Sequence, residues 1–183
     1  MEKFCRLHTR IWVALLIFII LGGSAVFFFV HKNKTTPPAE QKVHYHAGFQ
    51  VYVDGVKQDF SDFKYMNLVP CSKNPKNQPP EDPQLEKAHL HDRVGDVVHI
   101  EHEGAVWGDL FKNIHYSFDT TKQIVGYVND QKVSDIFSTP IKPNDSVVIV
   151  VGSQKNVQQY LKNKVTQAHI AEISKKSESC GVQ

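Results

Sequence analysis

The chain has 183 residues, enough for one ordinary folded domain with tails and too few for two sizeable cores. Three of its 21 Lys and Arg and one of its 19 Asp and Glu precede residue 31, so the remainder is balanced at 18 of each sign. A protein that neutralises nucleic-acid phosphates needs a surplus of cations, and that class of partner is set aside.

Twenty uncharged residues, Ile11 to Val30, follow a short basic start containing Lys3, Arg6 and Arg10. As a helix at about 1.5 Å per residue this run spans roughly 30 Å, the thickness of a bilayer's hydrocarbon core, and it predicts a transmembrane anchor. A cleaved secretory signal is the alternative, with Gly22, Gly23, Ser24 and Ala25 as the processing site. The apolar run continues past those small residues through Val26, Phe27, Phe28, Phe29 and Val30, which favours the anchor. Lys32 and Lys34 nearly balance the basic residues ahead of the helix. The simplest arrangement keeps the short flank 1–10 in the cytoplasm, giving a single-pass cell-membrane protein with an extracytoplasmic C-terminal domain. Residues 31–42 are polar, contain Pro37-Pro38 and show no periodicity, as in a stiffened stalk.

The domain proper is expected over 43–152. Tyr45, Ala47, Phe49, Val51 and Val53 alternate with His44, His46, Gly48, Gln50 and Tyr52, the period of a half-buried strand with its histidines on the polar face. Asp54-Gly55 suits a tight hairpin turn into a second strand, Val56 to Phe60. Five of the nine prolines fall in 67–88, which reads as a surface insertion. Val97 to Glu103 is the next strand, with Val98 and Ile100 on one face and His99 and Glu101 on the other. Trp107, Leu110, Phe111 and Ile114 recur at helical spacing, with Asp109 in the first turn. Gly126 to Val133 forms a second hairpin about Asn129-Asp130, and Val147 to Val151 is β-branched throughout, as in a strand buried on both faces. Beyond Gly152, Val157, Leu161, Val165 and Ala168 predict one long helix to about Lys175, within a C-terminal segment 153–183.

These elements make an α+β fold: an N-terminal transmembrane helix, then a mixed sheet with one packed helix and a C-terminal helix. The order resembles the β-grasp architecture. Trp107-Gly108-Asp109-Leu110-Phe111 and the segment from Ile141 to Val150 are similar to the corresponding parts of TGS domains and small sulfur-carrier proteins. The chain continues past Gly152 without the terminal Gly-Gly of a sulfur carrier, so that activity is not implied.

Of the three cysteines, Cys5 lies on the expected inner side, while Cys71 and Cys180 face an oxidising space. One bridge between Cys71 and Cys180 would tie the proline-rich insertion to the C-terminal tail, and two separate thiols are the alternative.

Six of the ten histidines fall between positions 44 and 102: His44, His46, His89, His91, His99 and His102. In a strand, residues two apart share a face about 7 Å apart, and two imidazoles so placed can converge on one ion. His44-Tyr45-His46 has that spacing, His89-Leu90-His91 repeats it with Asp92 alongside, and His99 with Glu101 forms a third pair. Imidazole and carboxylate ligands suit Zn, Cu or Ni. The bland alternative is a solvated or hydrogen-bonded polar cluster, because no Cys-x-x-Cys or His-Glu-x-x-His element makes the metal specific. His8, His31 and His169 fall outside the cluster, and His115 suits the C-terminal end of the helix dipole.

The wording of His44-Tyr45-His46-Ala47-Gly48-Phe49, the Val51 to Gly55 hairpin, His89-Leu90-His91-Asp92, and Val98-His99-Ile100-Glu101-His102 leading into Trp107 to Phe111 resembles a small set of uncharacterised, membrane-anchored bacterial and archaeal proteins rich in histidine. The resemblance brings no activity with it. Some members of that set carry His-x-His where this chain has His99-Ile100-Glu101.

Three functions follow as expectations. The first is a membrane-tethered extracytoplasmic domain that binds a transition metal, Zn, Cu or Ni, through His44, His46, His89, His91, His99, His102 and Glu101, with no catalytic residue and no organic cofactor. The second is an interaction module for another cell-envelope protein, with structural histidines. The third and weakest is a metal-dependent hydrolase using Glu101 or Asp92 beside an open coordination position.

Overall fold

In the computed structural model, which describes residues 42–67 and 82–176, the twelve residues from Lys42 to Val53 form a single strand, β1, at the centre of the sheet. Its side chains alternate, so Ala47, Phe49 and Val51 face one side while His44, His46, Gly48, Gln50 and Tyr52 face the other. Along its first half β1 pairs antiparallel with β3 (Val97–His102), which sets His46 opposite His99 and Gly48 opposite Val97. Along its second half it pairs in parallel with β6 (Ser146–Val151), from Gly48 against Ser146 to Val53 against Val151. Asp54 and Gly55, at φ 49° and 90°, turn the chain into β2 (Val56–Lys57). β4 (Ile124–Val128) runs antiparallel to β6, and Asn129 and Asp130, at φ 48° and 71°, return it as β5 (Gln131–Val133). The result is a mixed six-stranded sheet in the order β2-β1-β6-β4-β5, with β3 on the outer side of β1.

Among the described residues four short α-helices accompany the sheet: α1 (Pro83–Lys87), α2 (Trp107–Asn113), α3 (Val157–Lys162) and α4 (Gln167–Ile173). The fold is therefore α+β. α2 starts where Asp109 accepts a hydrogen bond from the Val106 N–H at 3.0 Å, the acidic half of a capping box. It buries Trp107, Leu110 and Phe111 against Phe49, Val51, Phe60 and Ile149, the main apolar core. The opposite face of the sheet is covered by the two C-terminal helices. There Tyr52, Val148 and Val150 pack on Val157, Tyr160 and Leu161, while Val97 packs on Val165, Ile170 and Ile173. All six residues of β6 are buried, as its β-branched run requires.

Four expectations change. β1 is buried on both faces from His46 through Tyr52, because α3 and α4 cover the side whose His, Gly, Gln and Tyr pattern reads as solvent-facing. The second strand stops at Lys57, and Phe60 leaves the sheet to enter the core beside Phe49. The single C-terminal helix divides in two. Thr166 accepts from the His169 N–H at 3.2 Å and caps a new helix, while Val165 between them is pressed onto Gly48. The described end of the proline-rich segment, 82–88, is also more than surface: it forms α1 and buries Glu86 and Ala88.

The anchor at 11–30, the stalk up to residue 41, the Cys71–Cys180 bridge and the tail beyond Lys176 lie outside the described residues. Among the described residues no helix is long and apolar enough to cross a membrane.

Gly48 tests how tightly the C-terminal segment sits on β1. A Cβ at this position would lie 2.6 Å from Val165 Cβ. Gly48→Ala is expected to lower stability by about 1–3 kcal/mol, as overpacking does, and a combined Gly48→Ala and Val165→Ala change should recover much of it in chemical denaturation.

Candidate metal centre

The first half of β1, β3 and the segment after α1 lie side by side, and this arrangement assembles the histidines. His46 stands directly opposite His99 across the β1/β3 ladder. On the far side of β3, His89 forms an isolated antiparallel bridge with His99: each N–H donates to the other's carbonyl, at 3.0 and 2.9 Å. Directly opposed residues share a face, so His46, His99 and His89 form one row across three chain segments. His44 and His91 flank the row, each two residues along from a member and hence on the same side.

His99 is the hub. Its ring centroid lies 4.7 Å from His44, 4.8 Å from His46, 4.8 Å from His89 and 5.0 Å from His91. It is 2% exposed, His46 and His89 are also buried, and His44 is exposed, so the cluster opens to solvent at the His44 end. The loop before β6 supports this end of β1. Asp145 accepts from the Lys142 N–H at 3.0 Å and from Asn129 Nδ2 at 2.7 Å, and the Asn144 N–H donates to the His46 carbonyl at 2.9 Å.

The ligand nitrogens of His44, His46 and His99 all lie within 4.8 Å of one another. Nitrogens bound to one tetrahedral ion at about 2.05 Å stand about 3.3 Å apart, so small side-chain rotations bring these three into a metal's first shell. Glu101 shares their face, with Oε1 3.8 Å from His99 Nε2. His91 meets the cluster from the other side: its Nε2 is 2.9 Å from His99 Nδ1, and its Nδ1 is 2.8 Å from Asp92 Oδ2. His89 directs Nδ1 at the Leu85 carbonyl, 3.0 Å away, and a carbonyl only accepts, so Nδ1 carries the proton.

Five of the six clustered histidines thus converge, and Glu101 borders them. His102 is buried but alternates to the opposite face of β3, with Val98 and Ile100, away from the ring that His99 joins. His169 is placed elsewhere, with Nε2 3.2 Å from Asp96 Oδ1. His115, exposed at φ 53°, follows the end of α2. The role of Asp92 beyond a spare ligand had one local signal, its adjacency to His91. The convergence on His99 had none, because it depends on strand pairing.

Burial, then the neighbouring rings of His89, His91, His46 and His44, push the His99 imidazole down to about 2. An unfolded chain restores the ordinary imidazole value of about 6.5. Between these limits the unfolded state binds a proton that the folded state refuses, so stability rises with pH across that window and levels off above it. Acidifying metal-free protein from pH 7.5 to 5 should lower its melting temperature, His99 contributing at most about 1.4 kcal/mol per pH unit. His99→Gln should flatten the slope of melting temperature against pH, and an equally steep slope in that variant would contradict this origin.

Comparison with protein-family models, with curated protein sequences and with solved structures finds no match to this chain, so the chemistry of the site rests on its own residues.

Proposed function

We propose that this is a membrane-tethered extracytoplasmic domain that binds a transition-metal ion through His44, His46 and His99, without catalysing a reaction. The observation that carries the reading is the approach of three imidazole ligand nitrogens within 4.8 Å at a site with one exposed and two buried members. An all-imidazole set with a carboxylate at its border suits Cu(II), Ni(II) and Zn(II), while Mg(II) and Ca(II) favour oxygen ligands. The low proton affinity of His99 helps, since an imidazole must be neutral to ligate. The exposed edge at His44 gives an ion a route in, which suits storage, sensing or delivery.

The wider setting belongs to the same proposal. The apolar run 11–30 supports a single-pass anchor that holds the domain at the outer face of a cell membrane. The central parallel pair β1/β6, the order β2-β1-β6-β4-β5 and the α2 helix packed on one face support a β-grasp-like architecture. The His-Tyr-His and His-Leu-His-Asp wording, both now seen to face His99, supports kinship with the membrane-anchored, histidine-rich bacterial and archaeal set.

A second reading has its own support in the Asp92, His91 and His99 hydrogen bonds, which form a polar network running from the exposed Asp92 to the buried His99. In that case the histidines are structural and the sheet serves as an interaction module for another envelope protein.

Titration separates the two. Zn(II), Cu(II) or Ni(II) added to the full-length protein should raise its melting temperature, by the equivalent of about 2.7 kcal/mol at a hundred times Kd. Elemental analysis of tag-free protein should find the metal. His44→Ala with His46→Ala should abolish the gain, whereas His102→Gln should keep the metal affinity even if it lowers the starting stability. A melting temperature indifferent to all three ions, together with a crosslinked envelope partner, would establish the interaction module instead.

A further inference from the structure

A chain of hydrogen bonds enters the cluster from outside it. Asp92 Oδ2 lies 2.8 Å from His91 Nδ1, and His91 Nε2 lies 2.9 Å from His99 Nδ1. A carboxylate only accepts, so the proton between Asp92 and His91 sits on His91 Nδ1. With that one proton on its ring, His91 has only its Nε2 lone pair to offer His99, so Nε2 is the acceptor. The partner at 2.9 Å must donate, which puts the single proton of His99 on Nδ1 and its lone pair on Nε2. Nε2 is the nitrogen on the Glu101 side, 3.8 Å from that carboxylate.

The backbone is arranged to produce this relay. The Val94 N–H donates to the His91 carbonyl at 3.0 Å, closing a tight turn in which Asp92 and Arg93 both adopt left-handed conformations, at φ 55° and 58°. Two consecutive non-glycine residues of that kind are costly and persist only when surrounding contacts hold them. Two such contacts are present. The Arg93 guanidinium lies over the Phe63 ring at 3.9 Å, and the backbone bridge of His89 to His99 docks the segment just before the turn onto β3. The turn folds the Asp92 carboxylate back onto the ring of the residue before it.

We propose that Asp92 is a positioning residue which, acting through His91, fixes His99 in the Nδ1–H tautomer and so presents His99 Nε2 as the metal-binding nitrogen. This rests on the metal reading of His44, His46 and His99, and it assigns His91 to the support of a ligand. Metal-ligating imidazoles almost always donate their second nitrogen to such a partner, which orients the ring and raises its basicity. Here the carboxylate acts across one intervening imidazole.

The test uses full-length protein with 15N-labelled histidine and reads the two ring nitrogens of His99 directly by NMR at pH 7.5 without metal. The expected result is a protonated Nδ1 and a bare Nε2. Asp92→Gly keeps a residue that accepts the left-handed turn and removes the carboxylate. It should shift His99 toward the Nε2–H form and weaken Zn(II) binding by about 10- to 100-fold at unchanged stoichiometry. Asp92→Asn, whose amide oxygen still accepts but carries no charge, should fall between wild type and the glycine variant in both measurements. A wild-type His99 with its proton on Nε2 overturns the proposal whatever the metal does, and it needs no variant to fold. Wild-type Zn(II) affinity in a folded Asp92→Gly protein overturns it equally. Absence of Zn(II) binding by wild-type protein whose His99 carries the expected tautomer removes the metal reading alone and leaves the relay standing.

Discussion

The structure depends on a strand that is paired along both edges and, from His46 to Tyr52, buried on both faces. β1 has β3 and β2 along one edge, β6 along the other, α2 beneath one face and the two C-terminal helices over the second. Backbone groups buried this deeply must be paired, and the two ladders pair them. Every residue brought to the site is placed through β1. His44 and His46 belong to it, His99 is aligned by pairing with it, and His89 is aligned by pairing with His99.

Placing imidazoles on such a strand has a chemical consequence. Buried among other rings, His99 resists protonation, which is the condition for ligating a metal and a burden in acid. The same face changes character along β1. Toward Tyr52 it is apolar and sealed by Tyr160, whose ring stacks on Tyr52 at 3.9 Å, and toward His44 it opens to solvent. Gly48 marks the change, where the close approach of Val165 and Ile170 ends the apolar cover beside His46. A graded face of this kind combines a rigid floor with an accessible rim, which suits the metal site proposed for it.

Much of the fold was legible because the local signals agreed with the tertiary arrangement. Asp54-Gly55 and Asn129-Asp130 mark turns that occur where left-handed backbone is required, and the all-β-branched run of β6 is buried on both faces. The signals failed where a distant segment supplied the cover. Gln50 and Tyr52 read as an exposed face because nothing nearby in the chain foretells α3, and the periodicity of Val157, Leu161 and Val165 continues through a break that Thr166 and the Gly48 contact impose. Phe60 continues a strand pattern, yet the apolar space beside Phe49 draws it out of the sheet.

The same division applies to the site. The amino-acid sequence by itself determined that His44 and His46 share a face and that His89 and His91 share one if extended, because side-chain direction in a strand follows from spacing alone. Tertiary structure decided that three separate segments meet at His99, that His102 is turned away, and that Asp92 reaches His99 through His91. The reason is physical. Spacing sets direction within a segment, but register between segments comes from ladders and packing that involve residues dozens of positions apart, and the imidazoles converge only once those are in place.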